Sequence, residues 1–492
     1  MFGFFFVFLQ RFFPYMKFNY LKISKLKSVF YTLNNRKEKR TNQVNWIYRL
    51  FKAYLRFVHD RLYYRKTYCL HPEHIPADNT PLMIVSNHQN CLNDPLGILF
   101  AIRDRKPNFI TRADVFSWNP FLAKFLRAIG LFPSFRINYE GGEALSKNQD
   151  TFQWTERELA NGGTLVMFPE AGHQDKHWLG DFSYGYTKLA FEAAELDNFQ
   201  KEIFILPSCN HYSDYFHIQS EFLVKFGTPI SIQPYYELYK TKPRTAQRDV
   251  NALVRKQIED LMLDIRDVDN YEAIDFLRNT YGMKYGEEHG YYMQILPERL
   301  LSDRSFVADL AKAKVANEAA VSDIYKDALL LKKSIREARI SYENFDCVLS
   351  YPILASCALS LLILLPVWIF SLWPNALNFI APKLILRRMN DKMFTGTFLY
   401  ALSALFTIPI FYLLTFILAW VFCNWWIALI YLAMLPALGL FAWYYRKFAI
   451  DTWHAYRFRR YRKSEDIQTM VKLRRKIFKQ MDGIMQNLSK NS

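Results

Sequence analysis

Charge is missing from two long stretches of this 492-residue chain: residues 347–382 and 393–445 contain no Asp, Glu, Lys or Arg. A water-soluble surface is excluded for both, because a folded domain in water carries ionised side chains at far shorter intervals. Cysteine is also scarce and unpatterned. The six residues (69, 91, 209, 347, 357, 423) show no CxxC spacing, and Cys357 and Cys423 lie well inside apolar stretches. A disulfide framework is therefore not expected, and reduced thiols suit a catalytic part facing the cytoplasm. Acidic residues are outnumbered, 46 against 63 Lys and Arg, giving a net charge of +17. With such apolar runs in the same chain, the anionic partner expected is a bilayer surface of acidic lipids and not nucleic acid.

The uncharged residues 393–445 would make a straight helix of about 80 Å, against a hydrocarbon core of roughly 30 Å. They must fold back, with a turn at Cys423-Asn424-Trp425 between spans near 398–420 and 425–444. Trp420, Trp425, Trp426, Trp443, Tyr444 and Tyr445 read as interfacial aromatic belts. Basic clusters precede (Lys383, Arg387, Arg388, Lys392) and follow (Arg446, Lys447, Arg457, Arg459, Arg460) this hairpin, so both its ends can lie inside. The first run is punctuated by Pro352, Pro366, Pro374 and Pro382. One kinked span and a pair of re-entrant half-helices both fit, and charge placement favours a re-entrant 347–373.

The remainder has ordinary globular texture. Residues 1–41 form a basic segment led by the apolar Phe2–Leu9 patch, too short to span a bilayer and followed by no cleavage site, so an interfacial anchor is expected. Apolar residues recur at helical spacing from Trp46 to Val58. Short apolar runs then read as buried strands: Leu82–Val85, Asn108–Thr111, Thr164–Phe168, Ile203–Pro207 and Glu221–Phe226. Alternation with helical pattern predicts an α/β domain over 42–240, a mostly parallel sheet flanked by helices. A helical region (241–344), membrane helices (345–450) and a basic amphipathic tail (451–492) complete the expected organisation. The tail's Ile467, Met470, Val471, Ile477 and Met481 suit a helix lying on an anionic leaflet.

Four segments of the α/β region carry candidate chemistry. In Ser86-Asn87-His88-Gln89-Asn90-Cys91-Leu92-Asn93-Asp94, a strand end offers an imidazole as general base and a carboxylate to hold its tautomer. Asn93 is a second candidate for orienting the imidazole. Gly130-Leu131-Phe132-Pro133-Ser134-Phe135-Arg136 joins a turn-permitting glycine to a guanidinium fork suited to phosphate. Phe168-Pro169-Glu170-Ala171-Gly172-His173 sets an acid beside a glycine that can approach a ligand. His173, Asp175 and His177 invite a metal reading, but no further ligands complete it and no metal is expected. Last, Phe204-Ile205-Leu206-Pro207 is an apolar strand.

In order and spacing these segments, across about residues 65–230, resemble the PlsC-like glycerolipid acyltransferase family. The resemblance implies His88 as base on the acceptor hydroxyl and Asp94 as its orienter. It assigns Gly130, Arg136, Glu170 and Gly172 to the glycerol phosphate, and Pro207 to the border of the acyl channel. Acyl-CoA or acyl-carrier protein would be the co-substrate, with no bound cofactor. Five residues separate His88 from Asp94 where the family usually has four, leaving Asn93 at the commoner position, and Ala171 displaces the motif glycine by one. The longer spacing followed by Asp-Pro resembles the yeast-type branch that acylates glycerol-3-phosphate or dihydroxyacetone phosphate. The implied setting is an integral membrane protein with a cytoplasmic catalytic domain, in a bacterial inner membrane.

Overall fold

The computed structural model describes residues 46–102, 105–112, 130–134, 142–170, 172, 176–387 and 395–491. The interfacial anchor expected within 1–41 lies outside them. Two compact units result: one runs to Asp264 and takes in Leu386–Ala401, and the other comprises Ile265–Ile385 and the chain from Leu402 onward.

The first unit is built on an eight-stranded sheet ordered β1-β7-β6-β2-β5-β3-β4, with β8 paired to β6. Its strands are β1 (Lys66–Leu70), β2 (Leu82–Ser86), β3 (Pro107–Arg112), β4 (Leu131–Ser134), β5 (Thr164–Met167), β6 (Phe204–Tyr212), β7 (Glu221–Phe226) and β8 (Ile230–Ser231). All pairings are parallel except those of β6 with β7 and β8. Every residue of β2 is buried, as a central strand covered on both faces requires, which is why it reads as an unbroken apolar run. One face is covered by α4 (Gly185–Leu196) and α6 (Pro243–Leu261), whose Leu189, Ala190, Val250, Val254 and Ile258 close a core with Met83, Val85, Leu165 and Ile205. The sequence reading missed β1, whose residues are half-exposed, and β4, which lies in the Gly130 motif.

Proline at the centre of a sheet is ordinarily excluded, since it leaves a ladder donor missing. In β6 the partner on one side changes: β8 pairs with Phe204 and Ile205, while β7 pairs with Ser208–Tyr212. Pro207 sits at the changeover, where its carbonyl accepts from Gly227 N–H at 2.8 Å and the Gly227 carbonyl, which a proline cannot serve, accepts from the His74 ring at 2.8 Å. It is buried among strands, opposite Val85 of β2.

Gly130 is likewise explained within the chain. Its φ is +91°, and a Cβ there would lie 2.8 Å from the carbonyl oxygen of Pro107. It shapes the entry to β4 and needs no phosphate to account for it. Gly130→Ala is expected to cost about 1–3 kcal/mol, read as a lowered thermal midpoint of the purified protein; an unchanged midpoint would count against this.

The second unit is helical: α7 (Tyr271–Glu288), α8 (Leu296–Ala316), α9 (Glu318–Ala338), α10 (Tyr351–Leu386), α12 (Ile408–Phe422), α13 (Trp425–Tyr461) and α14 (Glu465–Asn491). Before α12, α11 (Thr395–Leu402) runs through a π turn at Ser403–Thr407 into it. Three helical stretches among the described residues are long and apolar enough to cross a membrane: Tyr351–Ala381, Leu399–Phe422 and Trp425–Tyr461. The turn at Cys423-Asn424 falls where the aromatic pattern placed it, with the Asn424 side chain capping α13 through Ile427 N–H.

Two expectations are corrected. The first uncharged run is one continuous helix of 36 residues, not a pair of half-helices. Its Asn375 is locked into the apolar bundle, donating to Ser371 and Leu435 carbonyls and accepting from Tyr412 OH at 3.0 Å. Polar side chains join apolar helices in this way where water cannot satisfy them. The tail also differs. Ile467, Met470, Ile477 and Met481 of α14 are buried within this unit, and Asp482 takes a hydrogen bond from Tyr281 of α7 at 2.7 Å. The apolar face read as leaflet-binding is already covered by protein.

Candidate active site

β2 ends in the middle of the sheet, and the turn that follows is held from several directions. Asn87 extends the ladder with its side chain: Oδ1 accepts from Asn210 N–H at 2.7 Å and Nδ2 donates to the Asn210 carbonyl at 3.0 Å. The next N–H, that of His88, donates to Glu170 Oε1 at 2.7 Å. A tight turn, with Asn93 N–H on the Asn90 carbonyl and Cys91 at φ +40°, then starts α2 (Asn93–Ala101).

That turn explains the spacing. Asp94 lies in the first turn of α2, where the helix dipole favours a negative charge, and its carboxylate reaches back over the loop. Asp94 Oδ2 accepts from Gln89 N–H at 2.8 Å, Asn90 N–H at 2.7 Å and His88 Nδ1–H at 2.8 Å. Oδ1 accepts from Tyr212 OH at 2.6 Å. The side chain is fully buried, and four donors make an ionised carboxylate tolerable there. Burial and the neighbouring Asp94 charge hold the Tyr212 phenol well above its usual range, so it stays a donor. Asn93 points elsewhere, donating to Asn90 Oδ1 at 3.3 Å. Of the two candidates, the geometry puts Asp94 on the imidazole.

With Nδ1 on the carboxylate, a base role would fall to Nε2. The ring is packed on Phe168, with centroids 4.5 Å apart, and is one-fifth exposed. A fixed, partly open imidazole backed by a buried carboxylate is an arrangement for removing a proton.

Glu170 ties the His88 loop to the chain at Gly180. Oε1 holds the His88 N–H, and Oε2 accepts from Gly180 N–H at 2.7 Å. Burial pushes its carboxyl up, and the two backbone donors oppose that shift. Each oxygen thus holds one backbone N–H, which fixes the loop. Gly172 is exposed, with no described atom nearer to a notional Cβ than the Glu170 carbonyl at 4.0 Å. Arg136 and His173 lie outside the described residues. His177 is described, and its Nδ1 lies 2.9 Å from Tyr215 OH, which also donates to Gln89. Among the described residues, one group brings possible metal-ligand atoms within 4.8 Å of one another, His71, Glu73 and His74 at the surface.

Tyr212, Asn210 and Tyr215 were not anticipated from sequence. For Asn210 and Tyr212 the one signal is that the apolar strand at 203–207 continues as Ser208-Cys209-Asn210-His211-Tyr212, with Ser208, Asn210 and Tyr212 on one face.

Residues 66–210 match the acyltransferase family. Over 138 residues, 28% of this chain, the sequence is 27% identical to glycerol-3-phosphate O-acyltransferase 2 of Saccharomyces cerevisiae. The match spans only 18% of that protein. A weaker likeness links the chain to the crystal structure of the 1-acyl-sn-glycerophosphate acyltransferase PlsC from Thermotoga maritima. There the identity is 16% and the TM-score 0.28, over 42% of this chain and 79% of that one.

Proposed function

We propose that this chain, whose residues 66–210 belong to the acyltransferase family, moves a fatty acyl group from acyl-CoA or acyl-carrier protein onto a glycerol hydroxyl. The acceptor favoured is glycerol-3-phosphate or dihydroxyacetone phosphate, supported by the five-residue His88–Asp94 spacing. A lysophosphatidate acceptor is the second reading. One observation carries the enzymatic reading: His88 held by a buried, four-donor Asp94.

In the reaction His88 Nε2 takes the hydroxyl proton as the oxygen attacks the thioester carbonyl. Asp94 stabilises the imidazolium that forms. Collapse of the tetrahedral intermediate breaks the C–S bond, and the proton returns to the leaving thiolate. No protein nucleophile is needed, and the buried Cys91 takes no part. Arg136 is assigned the acceptor phosphate. The apolar helices give an amphiphilic product a route into lipid, and the reading places the protein in a membrane, with its catalytic unit on the cytoplasmic face of a bacterial inner membrane.

Purified protein given labelled acyl-CoA and each acceptor in turn tests this. Transfer to glycerol-3-phosphate or dihydroxyacetone phosphate is expected, with His88→Ala lowering kcat by about 10²–10⁴-fold, the range general-base catalysis contributes. Transfer to lysophosphatidate alone would select the second reading. No transfer to any acceptor would favour a non-catalytic lipid-binding scaffold.

A further inference from the structure

Residues 345–450 read from sequence as a membrane-helix region, yet Leu386–Ala401 belong to the same compact unit as the His88 loop. Within this stretch Gly396 is buried against that loop. Its carbonyl accepts from Tyr63 OH at 3.1 Å. A Cβ at Gly396 would lie 2.9 Å from Asn90 Oδ1, 3.0 Å from the Tyr215 carbonyl oxygen and 3.1 Å from Asn93 Nδ2. One turn on, Tyr400 is buried, donates its OH to the Leu55 carbonyl at 2.8 Å, and sets its ring edge-on to His59 and Tyr63. The segment is thus pinned at two points one helical turn apart.

What it presses on is the turn that carries the catalytic carboxylate's donors. Asn90 gives its backbone N–H to Asp94 Oδ2 and its side-chain amide to the Tyr215 carbonyl. Asn93 ties itself to Asn90. We propose that Thr395–Ala401 is a positioning strap for the catalytic loop, with Gly396 as its contact point and Tyr63 and Tyr400 as its fastenings. Only glycine lets the helix backbone come close enough to hold Asn90 and Asn93 in place. Asn93, at the position the commoner motif spacing gives to the carboxylate, serves as the seat for this strap. Because α11 continues through the π turn into α12, the strap is the leading end of an apolar helix.

The kinetic part of this inference rests on the proposed acyl transfer; the structural part does not. Cys91, buried inside the strapped turn, is a native reporter. In full-length protein in lipid nanodiscs, with the exposed Cys69, Cys347 and Cys423 changed to serine, Gly396→Val and Tyr63→Phe are compared with the parent. Alkylation of Cys91 by N-ethylmaleimide is expected to quicken about 10-fold or more in Gly396→Val and less in Tyr63→Phe. Amide exchange should rise at Gln89 and Asn90 but not along β2. Per folded molecule, kcat should fall by roughly 10- to 100-fold, the scale of an ångström-level misplacement, with the acceptor KM changed less than about twofold. Unchanged Cys91 protection and loop exchange in the variants would overturn the strap. Should Gly396→Val fail to fold, Tyr63→Phe decides. Should no form transfer an acyl group, the catalytic reading fails and the Cys91 and exchange measurements decide the strap alone.

Discussion

Changing Asp94 to asparagine is expected to lower kcat by about 10³- to 10⁴-fold, the scale seen when the carboxylate behind a catalytic histidine becomes an amide. The cause lies in the donor count. Asp94 Oδ2 receives two backbone N–H groups and His88 Nδ1–H, while Oδ1 receives Tyr212 OH. An amide has one accepting oxygen. If that oxygen faces the loop, the NH2 meets the Tyr212 hydroxyl; if it faces Tyr212, the NH2 meets three donors and pushes the imidazole into the wrong tautomer. Either placement also removes the charge that steadies the imidazolium. Asn93→Ala should cost much less, since Asn93 touches Asn90 and not His88. Measuring both variants with saturating acceptor decides the matter: a larger loss from Asn93→Ala would mean the wrong residue has been placed behind His88.

The second large effect is expected at Glu170. Glu170→Ala leaves two backbone N–H groups, those of His88 and Gly180, without the carboxylate that now takes both at 2.7 Å. An unsatisfied buried donor costs about 1–3 kcal/mol, and one of these belongs to the residue holding the base. A fall in kcat of about 10²-fold is expected, the penalty for misplacing a catalytic group by roughly an ångström, with the acceptor KM nearly unchanged. Had Glu170 contacted the glycerol phosphate, KM would carry the loss. A large rise in KM at unchanged kcat would restore the substrate-binding role.

His88 and Glu170 were legible because each sits just beyond a strand buried on both faces, and such strands announce themselves as apolar runs. Asp94 was only half legible. Spacing alone left it level with Asn93, and what separates them is a turn around Cys91 whose backbone angles no residue pattern announces. Tyr212 was hidden because the apolar run of β6 stops at Pro207, five residues before the strand does. The strap was hidden for the opposite reason: Gly396 and Tyr400 stand in an uncharged stretch with the same texture as a membrane span. The tail misled because an apolar helix face looks the same whether it covers lipid or a neighbouring helix.

Pro207 has one more consequence, for folding fidelity. The apolar first part of β6, Phe204–Leu206, could by itself slide along its neighbours with little change in buried surface, since a shift of two residues keeps every side chain on its own face. The proline forbids that shift, because its ring would then stand where β7 or β8 needs a donor. It therefore works as an index mark that lets β6 lock at one offset. Five residues further on, that offset brings the Tyr212 hydroxyl under Asp94. The offset of β6 thus also sets where Tyr212 meets the carboxylate behind His88.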